Sequence, residues 1–177
     1  MESALRESGS QPGLRLIETL LWDGRAAPRW PLHAARLRLM LDADGRVDWQ
    51  TAPLPAAKPQ WRVALAQARL ASDDPWLRVK STNRATYDTA RAALPDGKDE
   101  LIFLNERGEV CDGTITTVFF DRGQGLRTPP LTSGLLPGVL RAEIACPEEV
   151  LLAADLSKVR LWVGNAVRGL IPCILCP

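Results

Sequence analysis

Asp112–Arg141, DGTITTVFFDRGQGLRTPPLTSGLLPGVLR, is the stretch whose reading decides the fold. The β-branched and aromatic block from Thr114 to Phe120 predicts a strand, and Gly123 and Gly125 predict the turn that follows it. After Thr128 a loop punctuated by proline and glycine closes at Leu136-Pro137-Gly138. The next residues, VLRAEIA, have helical spacing, so Pro137-Gly138 marks a helix start. The first N–H groups of a helix lack partners within it and sit at the positive end of its dipole, an arrangement that suits an anion. The stretch therefore predicts an anion site with a carboxylate, Asp112, at its opening.

A lysine, Lys80, lies 32 residues upstream of Asp112, at the end of a second predicted strand, Trp76 to Val79. A lysine, a carboxylate and a cup for phosphate are the parts that a pyridoxal phosphate enzyme needs.

Composition narrows the alternatives. A chain of 177 residues can bury a real core, in one or two small domains. Lys plus Arg number 22 against 21 Asp plus Glu, and the net charge of +1 gives no electrostatic case for nucleic acid or an anionic membrane. The apolar runs are broken before they could span a bilayer, and the opening MESALRESGSQPG lacks the apolar segment of a signal peptide. A cytoplasmic location is the expectation. Four dispersed cysteines predict reduced thiols, and Cys173-x-x-Cys176 reads as a strand-end pair of small apolar residues before it reads as a redox or metal pair. The single histidine, His33, leaves no metal site and no Ser-His-Asp triad to build.

Along the chain, residues 14–22 predict a strand ending at Asp23-Gly24, and Pro31 to Leu37 a helix start that places His33 and Arg36 one turn apart. From Leu37 to Val47 the period changes to that of a strand closing in an Asp-Gly turn. Thr51 to Gln60 carries three prolines and is the predicted linker, dividing a small domain, residues 1–57, from a larger one, residues 58–177. Trp61 to Leu65 predicts a strand, Ser72 to Pro75 a turn, and Thr82 to Leu94 a helix capped by Thr82 or Asn83. Leu101 to Leu104 predicts a short buried strand, Asn105 to Gly108 a hairpin turn, and Val159 to Val163 the last strand.

These residues resemble the class IV aminotransferases, the pyridoxal phosphate family that includes branched-chain and D-amino-acid aminotransferases and aminodeoxychorismate lyase. The family signature runs here through Asp112, Thr114, Thr117-Val118-Phe119, Leu126-x-Thr128 and Leu136-x-Gly138-Val139-x-Arg141. Two identities depart from it: Asp112 stands for a glutamate and Thr117 for an asparagine. His33-x-x-Arg36-Leu37 resembles the family's phosphate-binding segment, Lys80-x-x-Asn83-Arg84 a lyase-like pattern, and residues 161–172 the C-terminal strand and turn. The resemblance implies a two-domain α+β fold: a small N-terminal α/β domain and a larger C-terminal pseudo-barrel. It also implies that about 25 to 35 residues are absent between Leu37 and Leu39, with a smaller loss near Ala145-Cys146.

Roles follow from the same resemblance. Lys80 would carry the cofactor and move the proton at the substrate's Cα. Asp112 would face the pyridine nitrogen, with a side chain one methylene short of the family's glutamate. Arg36, Gly138, Val139, Leu140 and Asn165 would hold the phosphate, and Asn83, Arg84 and Arg168 would shape the substrate side. Tyr87 could reach the cofactor, but core packing is its expected role. The implied activity is that of an aminodeoxychorismate lyase forming 4-aminobenzoate and pyruvate for folate synthesis. A branched-chain or D-amino-acid transaminase is the second reading, and an inactive member acting as a binding or scaffold protein the third. The implied partners are a small amino-acid-like substrate and a second copy of the chain in a homodimer.

Overall fold

The computed structural model describes residues 35–54 and 56–177. His33 and the predicted strand at 14–22 lie outside the described residues. The chain divides into two units, one ending at Ala56 and the other running Ala57–Pro177.

Within the first unit, β1 (Ala35–Leu41) pairs antiparallel with β2 (Val47–Pro53), Leu37 facing Thr51 and Leu39 facing Trp49. The turn between them is built on Asp42, whose Oδ1 accepts from the N–H groups of Asp44 and Arg46, with Gly45 at φ +81°. The expected helix start does not extend through Ala35–Leu37, which belong to β1. Alternation of Leu37, Leu39 and Leu41 with Arg36, Arg38 and Met40 sets a period of two, and a single helical turn is too short to compete. Strand β1 passes without a break through Leu37–Leu39. The predicted linker begins later than expected, because Thr51 to Pro53 complete β2.

The second unit is a closed six-stranded barrel in the order β3-β4-β5-β6-β7-β8. Its strands are β3 (Trp61–Leu70), β4 (Glu100–Asn105), β5 (Val110–Gly113), β6 (Thr117–Asp121), β7 (Arg160–Asn165) and β8 (Gly169–Leu175). Strand β3 is parallel to both β4 and β8, and every other pair is antiparallel. A parallel β3–β4 pair requires a crossover, supplied by residues 71–99 with helix α1 (Ala85–Ala92). Helix α2 (Val139–Ile144) follows the signature loop. The expected pseudo-barrel is present, with few helices.

Two apolar clusters hold the barrel. All six strands contribute to the first, through Trp61, Val63, Ile102, Leu104, Val110, Val118, Phe120, Leu161, Val163 and Ile171, which makes it the interior. The second lies on the other face, under the crossover, where Leu101, Phe103 and Cys111 meet Leu77, Tyr87 and Leu135. Both faces of β4 are thus covered, and LIFLN reads as a continuous apolar run instead of an alternating one.

Three local expectations change. Trp76 to Val79 is not a strand: Pro75–Arg78 is a 3-10 turn, with Pro75 at its first position and Asp74 accepting from Trp76 N–H at 2.9 Å. An Asp-Pro pair is a helix-starting signal, and here it overrides the strand character of the apolar residues after it. Helix α1 begins at Ala85 with Arg84 in the cap position, not Thr82 or Asn83. Ser81 Oγ and the Thr82 carbonyl take the N–H groups of Asn83 and Arg84, holding residues 81–84 in a bend. Thr114 to Thr116 form the β5–β6 turn, so the strand predicted from Thr114 starts at Thr117.

Candidate active site

The site is assembled on the β5–β6 hairpin. Asp112 and Thr117 are direct partners across it. Asp112 is buried, and its carboxylate is held from two sides: Oδ1 accepts from the Tyr87 hydroxyl at 2.9 Å and Oδ2 from the Leu136 N–H at 3.2 Å. Burial pushes its carboxyl from 3.8 up to about 7, opposed by those hydrogen bonds and assisted by the nearby Glu100 charge. The same burial raises the Tyr87 hydroxyl.

Tyr87 does two jobs. Its ring packs edge-on against Phe103, with centroids 4.8 Å apart, as core packing requires. Its hydroxyl fixes Asp112, a contact that the sequence does not reveal.

The loop after Thr128 wraps around this pair. A Cβ built on Gly138 would stand 3.2 Å from Thr117 Oγ1, so the threonine at the signature's asparagine position packs against the start of α2. Gly138 occupies the cap position of α2, and the N–H groups of Val139 and Leu140 fall in its first turn, where no intrahelical acceptor exists. The far end of the signature is a fastening. The Arg141 guanidinium, 8% exposed, donates to Thr128 Oγ1 and the Pro129 carbonyl, each at 2.7 Å, and to Glu148. Thr128 Oγ1 in turn donates to the Val118 carbonyl at 2.9 Å, tying the loop to β6.

The remaining candidates fall into two groups. Asn165 adjoins the site as a brace: its Nδ2 donates to the Ile115 carbonyl at 3.1 Å, and its Oδ1 accepts from the N–H groups of Val167 and Arg168 in the β7–β8 turn. Arg84 donates to the Thr114 carbonyl at 2.6 Å and to Asp88, with its guanidinium 5.3 Å from the Tyr87 ring centre. Arg168 is placed elsewhere, its guanidinium 5.2 Å from the Trp61 ring centre. Asn83 and Lys80 are exposed, Lys80 following the extended Val79 after the 3-10 turn. Arg36 is exposed on β1 in the first unit.

The residue that sequence reasoning missed is Glu100. Its side chain is fully buried behind the hairpin turn. Oε1 accepts from the N–H groups of Leu101 and Thr114, both at 3.0 Å, and from Thr114 Oγ1; Oε2 accepts from Ile115 N–H at 3.2 Å and Thr116 Oγ1 at 2.9 Å. A glutamate at the start of a strand, after Lys98-Asp99, gives no signal of this, because such a residue is ordinarily solvated.

Cys173 and Cys176 do not have the character of a reactive pair: burial pushes the Cys173 thiol up to about 12, and Cys176 is buried. Among the described residues no group of His, Cys, Asp and Glu is arranged to hold a metal, and no helix is long and apolar enough to cross a membrane.

The amino-transferase class IV family model matches residues 40–176, nearly all of the barrel unit included. The chain belongs to the class IV aminotransferase family. It is 35% identical over 91 residues to the aminodeoxychorismate lyase of Bacillus subtilis, covering 44% of this chain and 30% of that protein. It is 30% identical over 104 residues to the probable branched-chain-amino-acid aminotransferase of Thermotoga maritima, covering 53% and 38%. The chain thus spans about a third of the length of these curated relatives. A solved structure from Mesorhizobium loti, assigned to the amino-acid aminotransferases, is 39% identical and superposes with a TM-score of 0.84, covering 99% of this chain and 87% of that one.

The class IV family is pyridoxal phosphate dependent, and the residues around Asp112 suit that cofactor. A carboxylate offers about four lone-pair positions, and the contacts from Tyr87 and Leu136 leave room for one more donor. A carboxyl raised by burial is also the group that a cationic or proton-donating ring nitrogen would relieve.

Proposed function

We propose that the protein is a pyridoxal-phosphate enzyme acting at the Cα of an amino-acid-like substrate, with the reaction of a 4-amino-4-deoxychorismate lyase. The products would be 4-aminobenzoate and pyruvate, a step toward folate. The observation that carries the cofactor class is the buried Asp112 carboxylate, braced by Tyr87 and Leu136 with acceptor capacity remaining. The lyase assignment is supported by the likeness to the Bacillus subtilis lyase and by the Lys80-x-x-Asn83-Arg84 pattern.

When bound, the cofactor supplies an electron sink for the charge left at the substrate's Cα. Lys80 anchors it and carries the Cα proton, which requires its amine to be neutral for part of the cycle. Asp112 would accept a hydrogen bond from the ring nitrogen and favour its protonated form. Gly138, Asn165 and the first-turn N–H groups of Val139 and Leu140 would hold the phosphate. Asn83 and Arg84 would face the substrate; Arg84 keeps donors to spare beyond those given to Thr114 and Asp88.

A transaminase is the second reading, supported by the likeness to the Mesorhizobium loti structure over 99% of the chain. Product analysis separates the two. Pyruvate release from aminodeoxychorismate without an added keto acid supports the lyase, and strict dependence on a keto acid acceptor supports the transaminase. The assembly belongs to the same proposal: a cytoplasmic homodimer.

A further inference from the structure

A second carboxylate lies directly behind Asp112. A Cβ built on Gly113 would come within 2.8 Å of Glu100 Oε2 and closer still to Thr116 Oγ1, so the chain passes Glu100 with room for glycine alone. Both Glu100 oxygens accept backbone N–H groups, two from the hairpin turn and one from β4, and two threonine hydroxyls complete the set. Arg91 of α1 reaches Oε1 at 3.4 Å, and also donates to the Asp99 carbonyl at 2.8 Å. The carboxylate is therefore the template on which residues 113–116 fold. Those residues join Asp112 to Thr117, the two hairpin partners at the centre of the site.

We propose that Glu100 is a positioning residue: it sets where Asp112 stands and supplies the negative charge that Asp112 feels from behind. The proposal rests on the cofactor reading above, in which Asp112 faces the ring nitrogen. Arg84 at the cap of α1, Tyr87 on α1, Glu100 on β4 and the neighbouring Cys111 on β5 act electrostatically on Asp112, and Arg91 of α1 faces Glu100. Glu100 carries the like charge within this set that a neutral isostere can remove. Geometry and charge make separable contributions. Loss of two-oxygen templating misplaces Asp112 at every pH, whereas loss of the charge makes Asp112 easier to ionise.

The test measures pyridoxal phosphate affinity, by absorbance titration across pH, for the wild type and for Glu100→Gln, with no substrate and no turnover. Wild-type protein that binds no cofactor contradicts the functional reading itself. Given wild-type binding, Glu100→Gln is expected to bind about tenfold more weakly near neutral pH, and its loss of affinity on acidification is expected to begin at lower pH. A purely structural role weakens binding without moving the acid limb. An unchanged affinity and an unmoved acid limb overturn the proposal. If Glu100→Gln does not fold, Thr116→Val decides: it removes one donor to Oε2, and is expected to weaken cofactor binding several-fold while Thr116→Ser restores it. Wild-type affinity in Thr116→Val overturns the proposal.

Discussion

The Tyr87 hydroxyl donates to Asp112 Oδ1 across 2.9 Å of buried interior, and this contact joins the helix after Lys80 to the hairpin that opens the family signature. Asp112 is one methylene shorter than the glutamate whose place it takes. Tyr87 and the Leu136 N–H hold its carboxylate from opposite oxygens. Tyr87→Phe removes one of these donors and leaves a buried acceptor unpaired. The expected loss is about 1 to 3 kcal/mol of unfolding free energy, read by urea denaturation, with weaker cofactor binding.

Asp112 also gives the free protein an uncommon pH dependence. Its carboxyl stands at about 7 in the fold against 3.8 ordinarily, so the folded state binds the proton more tightly than the unfolded chain. The resulting stability is complete below pH 4, declines as pH rises through the window from 4 to 7, and is absent above it. A shift of this size corresponds to a loss of up to about 4 kcal/mol. Glu109 has the opposite sign: hydrogen bonding to Arg107 holds it down to about 2, so its contribution is lost as pH falls below 4.5. The difference between wild-type and Asp112→Asn unfolding curves isolates the first effect. It should slope between pH 4 and 7 and be flat above.

Arg141 closes the signature through structure, not through contact with Asp112. Arg141→Leu leaves the Pro129 carbonyl and Thr128 hydroxyl without their charged donor. A destabilisation of about 2 to 4 kcal/mol is expected, measured by denaturant unfolding.

Gly164 sits where β7 turns into β8. A Cβ there would collide with the Gly169 carbonyl oxygen and stand 2.6 Å from Leu140 Cδ2. Backbone cannot give way as a side chain does, so Gly164→Ala should cost about 2 kcal/mol or more. Because Leu140 lies in the first turn of α2, the same change should also weaken phosphate-dependent binding, which a comparison of pyridoxal and pyridoxal phosphate affinities would detect.

Much of the barrel could be read from residue types. LIFLN and RLWV are strands by β-branched and aromatic content, and VLRAEIA is a helix by spacing and by the Pro-Gly before it. The misreadings arose where local chemistry outweighed pattern. Asp74-Pro75 started a 3-10 turn in an apolar segment, and Thr114 to Thr116, all good strand formers, were bent around a buried glutamate 14 residues before Thr114. Such a contact leaves no periodic trace. The same limit hid the Tyr87–Asp112 bond, since spacing along a chain does not report which buried hydroxyl meets which carboxylate. Asp112, Gly138 and the α2 start were legible because their chemistry is local.

The central claim is that Lys80 carries the cofactor. The chain has four lysines, Lys58, Lys80, Lys98 and Lys158. Borohydride reduction after incubation with pyridoxal phosphate, followed by peptide mapping by mass spectrometry, identifies the amine that is bonded. The account predicts a single stoichiometric adduct on Lys80, lost in Lys80→Ala. No adduct, or one spread over Lys58, Lys98 and Lys158, would contradict it.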